Sequence, residues 1–165
     1  MPPDGSRGFS GGGTCRNTAS GAYSRGMSEE VELRQDAVTT VREFFAAMEL
    51  GAVGEALELL DPQVVWKNTS LPDLRGARAH AVLRGLNRPW VGFAAEMHHI
   101  AADGDVVLTD RTDILRFGPV RIAFWVMGTF ELRDGRIVLW HDHFSWENVL
   151  RGTAVGLVRA LLPRR

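Results

Sequence analysis

The sequence lacks several features that are typical of particular classes of protein. It has one cysteine, Cys15, which cannot form an internal disulfide, so nothing indicates an oxidising compartment. The chain has 19 basic and 20 acidic residues, a balance that does not indicate a basic surface for nucleic acid. It also has no run of Lys/Arg residues that would indicate binding to an anionic membrane. No apolar stretch has transmembrane length, and the N-terminus lacks the apolar segment of a signal peptide. These absences leave a cytoplasmic enzyme or binding protein as the expectation.

The first 26 residues, MPPDGSRGFSGGGTCRNTASGAYSRG, are rich in glycine and serine and carry little apolar surface. Such a composition does not offset the entropy lost on ordering, so the sequence predicts a disordered leader over residues 1–26. A chain of 165 residues is long enough for one domain with its own core and too short for two ordinary ones. We therefore expect a single domain over residues 27–165.

Hydrophobic periodicity predicts an α+β fold. Apolar residues recur at helical spacing after Ser28, an N-cap residue type, and Gly51 is typical of a helix end. The predicted helices cover residues 28–51, 53–60, 77–86 and 149–162, and the predicted strands cover 64–68, 92–101, 106–117, 120–133 and 136–146. Asp-Gly pairs at 103–104 and 134–135 are hairpin signals. Since strands longer than the usual ~5–6 residues tend to bend, we expect a curved mixed sheet that forms a cone-like half-barrel closed by the N-terminal helices.

Asp142 lies between two large aromatic residues of the last predicted strand. Alternate residues of a strand point to the same side, so Trp140, Asp142 and Phe144 share one face, which the aromatic residues predict to be buried. His141 and His143 share the other face. Such an H-x-H pair can chelate a metal, but no further ligand has suitable spacing. We interpret the pair as solvated or interfacial, and expect no metal and no cofactor.

Arg111 and Asp113 share a face of strand 106–117, although hydrophobicity alone does not settle which face is inward. A buried charge costs several kcal/mol unless it is paired, and the planar guanidinium group of arginine can serve two carboxylates. If Asp142 joins, Arg111 bridges two carboxyl groups, one of which can be held protonated while the other is ionised. Asn68, two residues after Trp66, is suited to orienting a water molecule there. The competing interpretation of the Arg-x-Asp pair is a surface ion pair of little energetic value.

Three segments carry a resemblance to a known family: WKNTSLP (66–72), VLTDRTDIL (107–115) and FWVMGTFELRDGRIVLWHDHF (124–144). Over residues 38–163 the chain resembles the limonene-1,2-epoxide hydrolase family, most closely its actinobacterial branch. The resemblance implies a nuclear transport factor 2-like (ketosteroid isomerase-like) fold, a homodimer, and cofactor-independent hydrolysis of an epoxide. It implies that Asp113 is the general acid, that Arg111 bridges the carboxyl groups, that Asp142 is the base that deprotonates the attacking water, and that Asn68 positions this water.

One position departs from the family pattern. The family usually has a tyrosine where this chain has Trp66, and an indole N–H can donate a hydrogen bond but cannot accept one. The water would then be held chiefly by Asn68 and Asp142. We expect that hydrolase activity is retained with a less well oriented water or a narrower pocket.

A pocket for an apolar substrate is built from core-like residues. The predicted lining consists of Phe45, Met48, Leu71, Met97, Leu115, Phe124, Val126 and Phe144. Terpene-like, aromatic, sterol-like and lipid-derived epoxides all remain possible substrates, each giving a vicinal diol.

Two other functions fit the same fold class, because fold does not determine function. A ketosteroid isomerase-like enzyme would need a tyrosine in its oxyanion hole, and the single tyrosine, Tyr23, lies in the leader. A non-catalytic ligand-binding module would lack the buried contact between the two aspartates and Arg111. An Asp142 side chain directed to solvent would contradict the hydrolase hypothesis.

Overall fold

The computed structural model of the chain describes residues 36–161. The predicted leader and Ser28 lie outside the described residues. Within them, the first helix, α1, covers 36–49 and buries Ala37, Val41 and Phe44, which recur at helical spacing. Gly51, at φ +71°, follows the helix in the left-handed conformation that favours glycine.

The other elements follow in chain order, with one short strand that the sequence pattern did not predict. They are α2 (Val53–Glu58), β1 (Leu60–Asn68), β2 (Leu74–Arg75), α3 (Ala77–Gly85), β3 (Val91–Asp103), β4 (Val106–Phe117), β5 (Val120–Arg133), β6 (Arg136–His143) and α4 (Trp146–Leu161). No helix among the described residues is both long enough and apolar enough to cross a bilayer.

The six strands form one open mixed sheet in the order β2-β1-β6-β5-β4-β3. Hairpins join β3 through β6, and glycines at positive φ occupy their turns at Gly104, Gly118 and Gly135. The pairing of β1 with β6 is parallel, and all other pairings are antiparallel. The expected α+β fold with a curved mixed half-barrel sheet is confirmed.

The core lies between the helices and one face of the sheet. This inner face carries Val107 of β4, Phe130 of β5 and Trp140 of β6, which cluster with Val41 and Phe44 of α1. The ring of Phe44 packs edge-on against Trp140 with centroids 5.1 Å apart. Arg111 and Asp113 are separated from Val107 by even numbers of residues, so they lie on the same face of β4. The face of β4 that carries Arg111 and Asp113 is therefore the inner one.

Several element boundaries differ from the sequence-based prediction, and the largest differences are at β1, β6 and α4. Strand β1 begins at Leu60 because Leu60 already pairs with Ile137, and a register shift absorbs the residues before Val65. Strand β6 ends at His143, and α4 begins at Trp146 rather than at residue 149. Aromatic residues continue to alternate after His143, as they would in a strand. The chain forms a strand only as far as it pairs with β5 and β1, which is to His143.

Helix α4 packs against the first half of β5 at very short range. A Cβ atom at Gly152 would collide with the carbonyl oxygen of Ala123, and one at Gly156 would collide with that of Arg121. The two glycines are therefore required for the backbones to approach this closely.

Candidate active site

Arg111 is completely buried and bridges two buried aspartates. Its Nε donates to Oδ1 of Asp113 at 2.8 Å, and its Nη2 donates to Oδ2 of Asp113 at 3.1 Å and to Oδ1 of Asp142 at 2.7 Å. The side chains of Asp113 and Asp142 are only 9% and 6% exposed. The guanidinium carbon also lies 4.7 Å from the ring centroid of Phe45, a distance at which a cation and an aromatic face attract each other.

Strand pairing brings residues of β1 next to Asp142. In the parallel pairing of β1 with β6, Asn68 is the register partner of Asp142 and Trp66 is that of Trp140. The end of β1 is tied to β6 because the backbone N–H of Thr69 donates to the carbonyl oxygen of Asp142 at 3.1 Å. The structure thus gathers Trp66, Asn68 and the bridged carboxyl groups on one inner surface.

Trp66 is held by stacking. Its ring lies parallel to that of Trp140, with centroids 4.5 Å apart and an interplanar angle of 11°. The Nε1 atom of Trp66 is buried and has no hydrogen-bond partner among the described residues. A buried donor without a partner is uncommon and costly in a folded protein, so this N–H is available to a bound water or ligand.

Burial dominates the electrostatics of the two carboxyl groups. It raises the pKa of Asp113 to about 6, against the opposing effect of the Arg111 charge. Burial likewise raises the pKa of Asp142, and Arg111 again acts in the opposite direction. Burial alone would lower the pKa of Arg111, but the charges of Asp142 and Asp113 outweigh it and raise that pKa. A carboxyl group with a pKa near neutrality can hold and deliver a proton at physiological pH.

A cavity of about 230 Å³ opens above these groups. The polar groups of its lining are Asn68, Asp113, Asp142 and the indole N–H groups of Trp66 and Trp140. The rest of the lining is apolar and consists of Phe44, Met48, Val82, Leu83, Leu86, Phe93, Leu115, Phe117, Phe124, Val126 and Phe144. Polar groups that converge at one point of an apolar pocket are typical of a small-molecule site.

Five of the eight predicted pocket residues line this cavity, and three lie elsewhere. Phe45 is turned away from the cavity by one helical step from Phe44, and it packs against the Arg111 guanidinium group instead. Leu71 is 46% exposed, because the tight turn after Asn68 carries it to the surface. Met97 precedes a bulge in the pairing of β3 with β4 and packs against the core.

Sequence reasoning also missed several lining residues. Phe117 shares the period-2 face of Arg111 and Leu115, a signal that could have identified it. Val82, Leu83 and Leu86 come from the α3 region, whose position over the sheet depends on tertiary packing and has no local signal.

The histidine pair of β6 lies on the outer face, opposite Asp142. The rings of His141 and His143 are 3.9 Å apart, and burial followed by the charge of His143 lowers the pKa of His141. Residues 36–161 contain no group of three or more His, Cys, Asp or Glu side chains that could hold a metal ion.

Comparisons with known proteins identify relatives of this chain. A family model described as the limonene-1,2-epoxide hydrolase catalytic domain matches residues 35–155. Epoxide hydrolase EphG of Mycobacterium tuberculosis is 43% identical over 104 residues, which cover 63% of this chain and 70% of that protein.

Solved structures extend the comparison to the fold. The structure of an LEH-like epoxide hydrolase from M. tuberculosis matches with a TM-score of 0.75 and 37% identity, over 79% of this chain and 98% of that chain. An NTF2-like protein of Burkholderia xenovorans matches with a TM-score of 0.59 and 19% identity, over 73% of this chain and 97% of that chain, and shares the fold alone. The expected nuclear transport factor 2-like fold is confirmed.

Proposed function

The chain belongs to the limonene-1,2-epoxide hydrolase family, and we propose that this epoxide hydrolase adds water to a small apolar epoxide in one step, giving a vicinal diol. The observation that carries the proposal is the pair of buried carboxyl groups, Asp113 and Asp142, bridged by Arg111 at the base of an apolar cavity. Opening a strained ether requires an acid for the oxygen and a base for the nucleophile, and this site contains two carboxyl groups suited to these tasks.

In the proposed reaction, Asp142 takes a proton from a water molecule while the water oxygen attacks one epoxide carbon. The bond from that carbon to the ring oxygen breaks, and the oxygen receives the proton of Asp113. Asp142 is then protonated and Asp113 is ionised, so one proton must return between them before the next turnover. Arg111 contacts both groups and stabilises whichever carboxylate is charged.

Asp113 accepts two hydrogen bonds from Arg111, yet it can still carry the acidic proton. Each carboxyl oxygen has two lone-pair sites, so an oxygen that accepts from Arg111 can be protonated at its other site. Its pKa of about 6 means that the bond pattern does not prevent protonation near neutral pH. Asn68 lines the cavity beside Asp142 in register and has both a donor and an acceptor with which to orient the water.

The size of the cavity narrows the proposed substrates. A cavity of about 150 Å³ is enough for benzene, so about 230 Å³ accommodates one substituted ring. We propose terpene-like or aromatic epoxides of this size as substrates, in preference to four-ring sterol epoxides.

The proposal is tested by diol formation in ¹⁸O-labelled water. We expect hydrolysis of a cyclic monoterpene epoxide and of styrene oxide, and a much slower reaction with a sterol epoxide. With enzyme in excess over substrate, the first turnover should already give diol labelled with one ¹⁸O atom. Unlabelled diol in that turnover would indicate a covalent ester intermediate, and no diol from any epoxide would contradict the function.

Trp66→Tyr is expected to raise kcat on a good epoxide substrate. A phenol oxygen can both donate to and accept from the attacking water, whereas the indole N–H can only donate. Trp66→Phe is the matched control, since it also shortens the ring stack with Trp140 but offers no polar atom. Steady-state kinetics should rank Tyr above both Trp and Phe. A loss of activity in the Tyr variant would contradict the proposed role of this position.

The homodimer and the cytoplasmic location stay predictions. In support of the dimer, the outer face of the sheet exposes Leu108, Trp125 and Met127, each by more than 40%. Apolar side chains of this kind on neighbouring strands are typical of a protein interface. Sedimentation equilibrium that gives the mass of one chain would contradict the dimer.

A further inference from the structure

Arg111 reaches its second aspartate across an intervening strand. The arginine belongs to β4 and Asp142 belongs to β6, and β5 lies between them in the sheet. Neighbouring strands are about 4.8 Å apart, so the side chain must cross β5 on the inner face to donate to Asp142 at 2.7 Å. Such a crossing needs a position on β5 where no side chain stands in the way.

Gly128 supplies that position. It is the register partner of Thr109 on β4 and of Asp142 on β6, so it lies directly between the strands that the arginine connects. A Cβ atom at Gly128 would collide with Nη1 of Arg111 and with Oγ1 of Thr109. The φ of this glycine is not in the left-handed region, so the space it leaves, and not its backbone conformation, distinguishes it from other residues.

Thr109 fixes the end of the arginine that the aspartates do not contact. Nη1 of Arg111 donates to Oγ1 of Thr109 at 2.9 Å, and Oγ1 in turn donates to the carbonyl oxygen of Gly128 at 3.5 Å. Because the guanidinium group can only donate, Oγ1 of Thr109 accepts from Arg111, and its own proton is left for the carbonyl oxygen of Gly128. Thr109 is 2% exposed and does not line the cavity.

We propose that Thr109 and Gly128 form a cradle that sets the plane of the Arg111 guanidinium group, and that Thr109 is a positioning residue for the reaction. This inference rests on the proposed hydrolase function. With Nη1 held by Thr109, rotation of the guanidinium plane is blocked, and Nη2 keeps its bonds to Asp113 and Asp142 at once. Bidentate geometry of this kind is lost if the plane turns.

The kinetic test is Thr109→Val, which keeps the shape of the side chain and removes the hydroxyl group. We expect kcat to fall by about 10- to 100-fold, the scale at which small misplacements of reacting groups act, with little change in KM because Thr109 does not contact the cavity. Thr109→Ser should restore most of kcat. Thr112→Val is the matched control, since it removes a hydroxyl group from the outer face of the same strand.

The pH dependence of kcat/KM distinguishes a positioning role of Thr109 from a role in packing alone. A loosened guanidinium group stabilises the Asp113 carboxylate less, so the pKa of Asp113 rises and the alkaline limb of kcat/KM moves to higher pH in Thr109→Val. Wild-type kcat in this variant, no rescue by serine, or a lower kcat with an unmoved alkaline limb would each overturn the proposal.

A second test does not depend on activity. Gly128→Ala is expected to lower Tm by about 5–10 °C in the wild-type background, as an overpacked buried site does. In an Arg111→Gln background the same substitution should cost less, because the nearest of the atoms that the Cβ would meet, Nη1 of Arg111, is gone, while Oγ1 of Thr109 and a ring atom of Phe130 remain. Equal losses in both backgrounds would overturn the cradle. The outcome in which Gly128→Ala costs less in the Arg111→Gln background, but the wild type hydrolyses no epoxide, would support the cradle as a structural feature and contradict the proposed function.

Discussion

Asp142→Asn is expected to lower kcat for epoxide hydrolysis by a factor of about 10²–10⁴, the usual contribution of one general base, while the protein stays folded. The amide keeps the shape of the side chain and an oxygen that can accept from Arg111, but it cannot take a proton from water. Removing one of two carboxylates around a single cation also leaves no unpaired buried charge. The measurement is diol formation under substrate saturation, with circular dichroism and Tm recorded for each variant.

Asp110→Asn is the matched control for this loss. Asp110 lies on the outer face of β4, where its carboxylate accepts from Trp125 and contacts His99. It does not line the cavity, and its replacement should leave kcat within about two-fold, as is usual for surface sites. An Asp142→Asn variant with an activity like that of this control would contradict the proposed base.

Asp113→Asn distinguishes the acid from the base. An electron-rich aryl group stabilises positive charge at the carbon under attack, so such an epoxide needs less activation of the water. The loss in Asp142→Asn should therefore shrink on this substrate, while the loss in Asp113→Asn should not, because the departing oxygen still needs a proton. The opposite ranking would assign the acid to Asp142. The effects of the two substitutions are not expected to multiply, because the groups act in one step.

Arg111→Gln is expected to destabilise the fold by about 3–5 kcal/mol at pH 7, because it leaves two buried carboxylates without their cation. Arg111 opposes the burial effect on both carboxyl groups, so its removal raises the pKa of Asp113 above about 6 and raises that of Asp142 further. Activity should fall as well, since neither carboxylate is then stabilised.

The raised pKa values of Asp113 and Asp142 make the stability of the folded protein depend on pH. The folded pKa values lie above the ordinary 3.8, so the folded state binds protons more tightly, and stability falls as pH rises from about 4 through the folded pKa values. In Arg111→Gln this loss is larger and extends to higher pH than in the wild type. Urea denaturation between pH 4.5 and 8 measures it.

Arg116→Gln, on an exposed site of the same strand, is the control for the loss of one positive charge. A stability curve of Arg111→Gln that is parallel to that of Arg116→Gln would contradict the account of the buried cluster.

Much of the fold could be predicted because its signals are local. Period-2 alternation along β4 and β6 puts Arg111 with Asp113 and Trp140 with Asp142, and Asp-Gly pairs mark two of the hairpins. The ends of β6 and α4 were misplaced because the aromatic residues after His143 continue the same alternation without a pairing strand.

The lining of the cavity could be predicted only in part. Leu115 of β4 and Val126 of β5 follow from strand alternation. Phe44 and Phe45, by contrast, are neighbours on one helix, and only the rotation of α1 against the sheet decides which of them faces the cavity. Gly128 has no side chain to attract notice, and its importance appears only when its two register partners are known.

The sequence by itself determined which residues share a face of each strand and where the chain turns, and its resemblance to a known family predicted that Arg111 bridges two aspartates. The first two are properties of single strands and tight turns, which depend on neighbours a few residues away. The tertiary structure decided which face of β4 is inward, that β1 pairs in parallel with β6 to bring Asn68 beside Asp142, and that Arg111 crosses β5 over Gly128. Those outcomes depend on contacts between distant segments, and the burial of apolar surface on the inner face selects them.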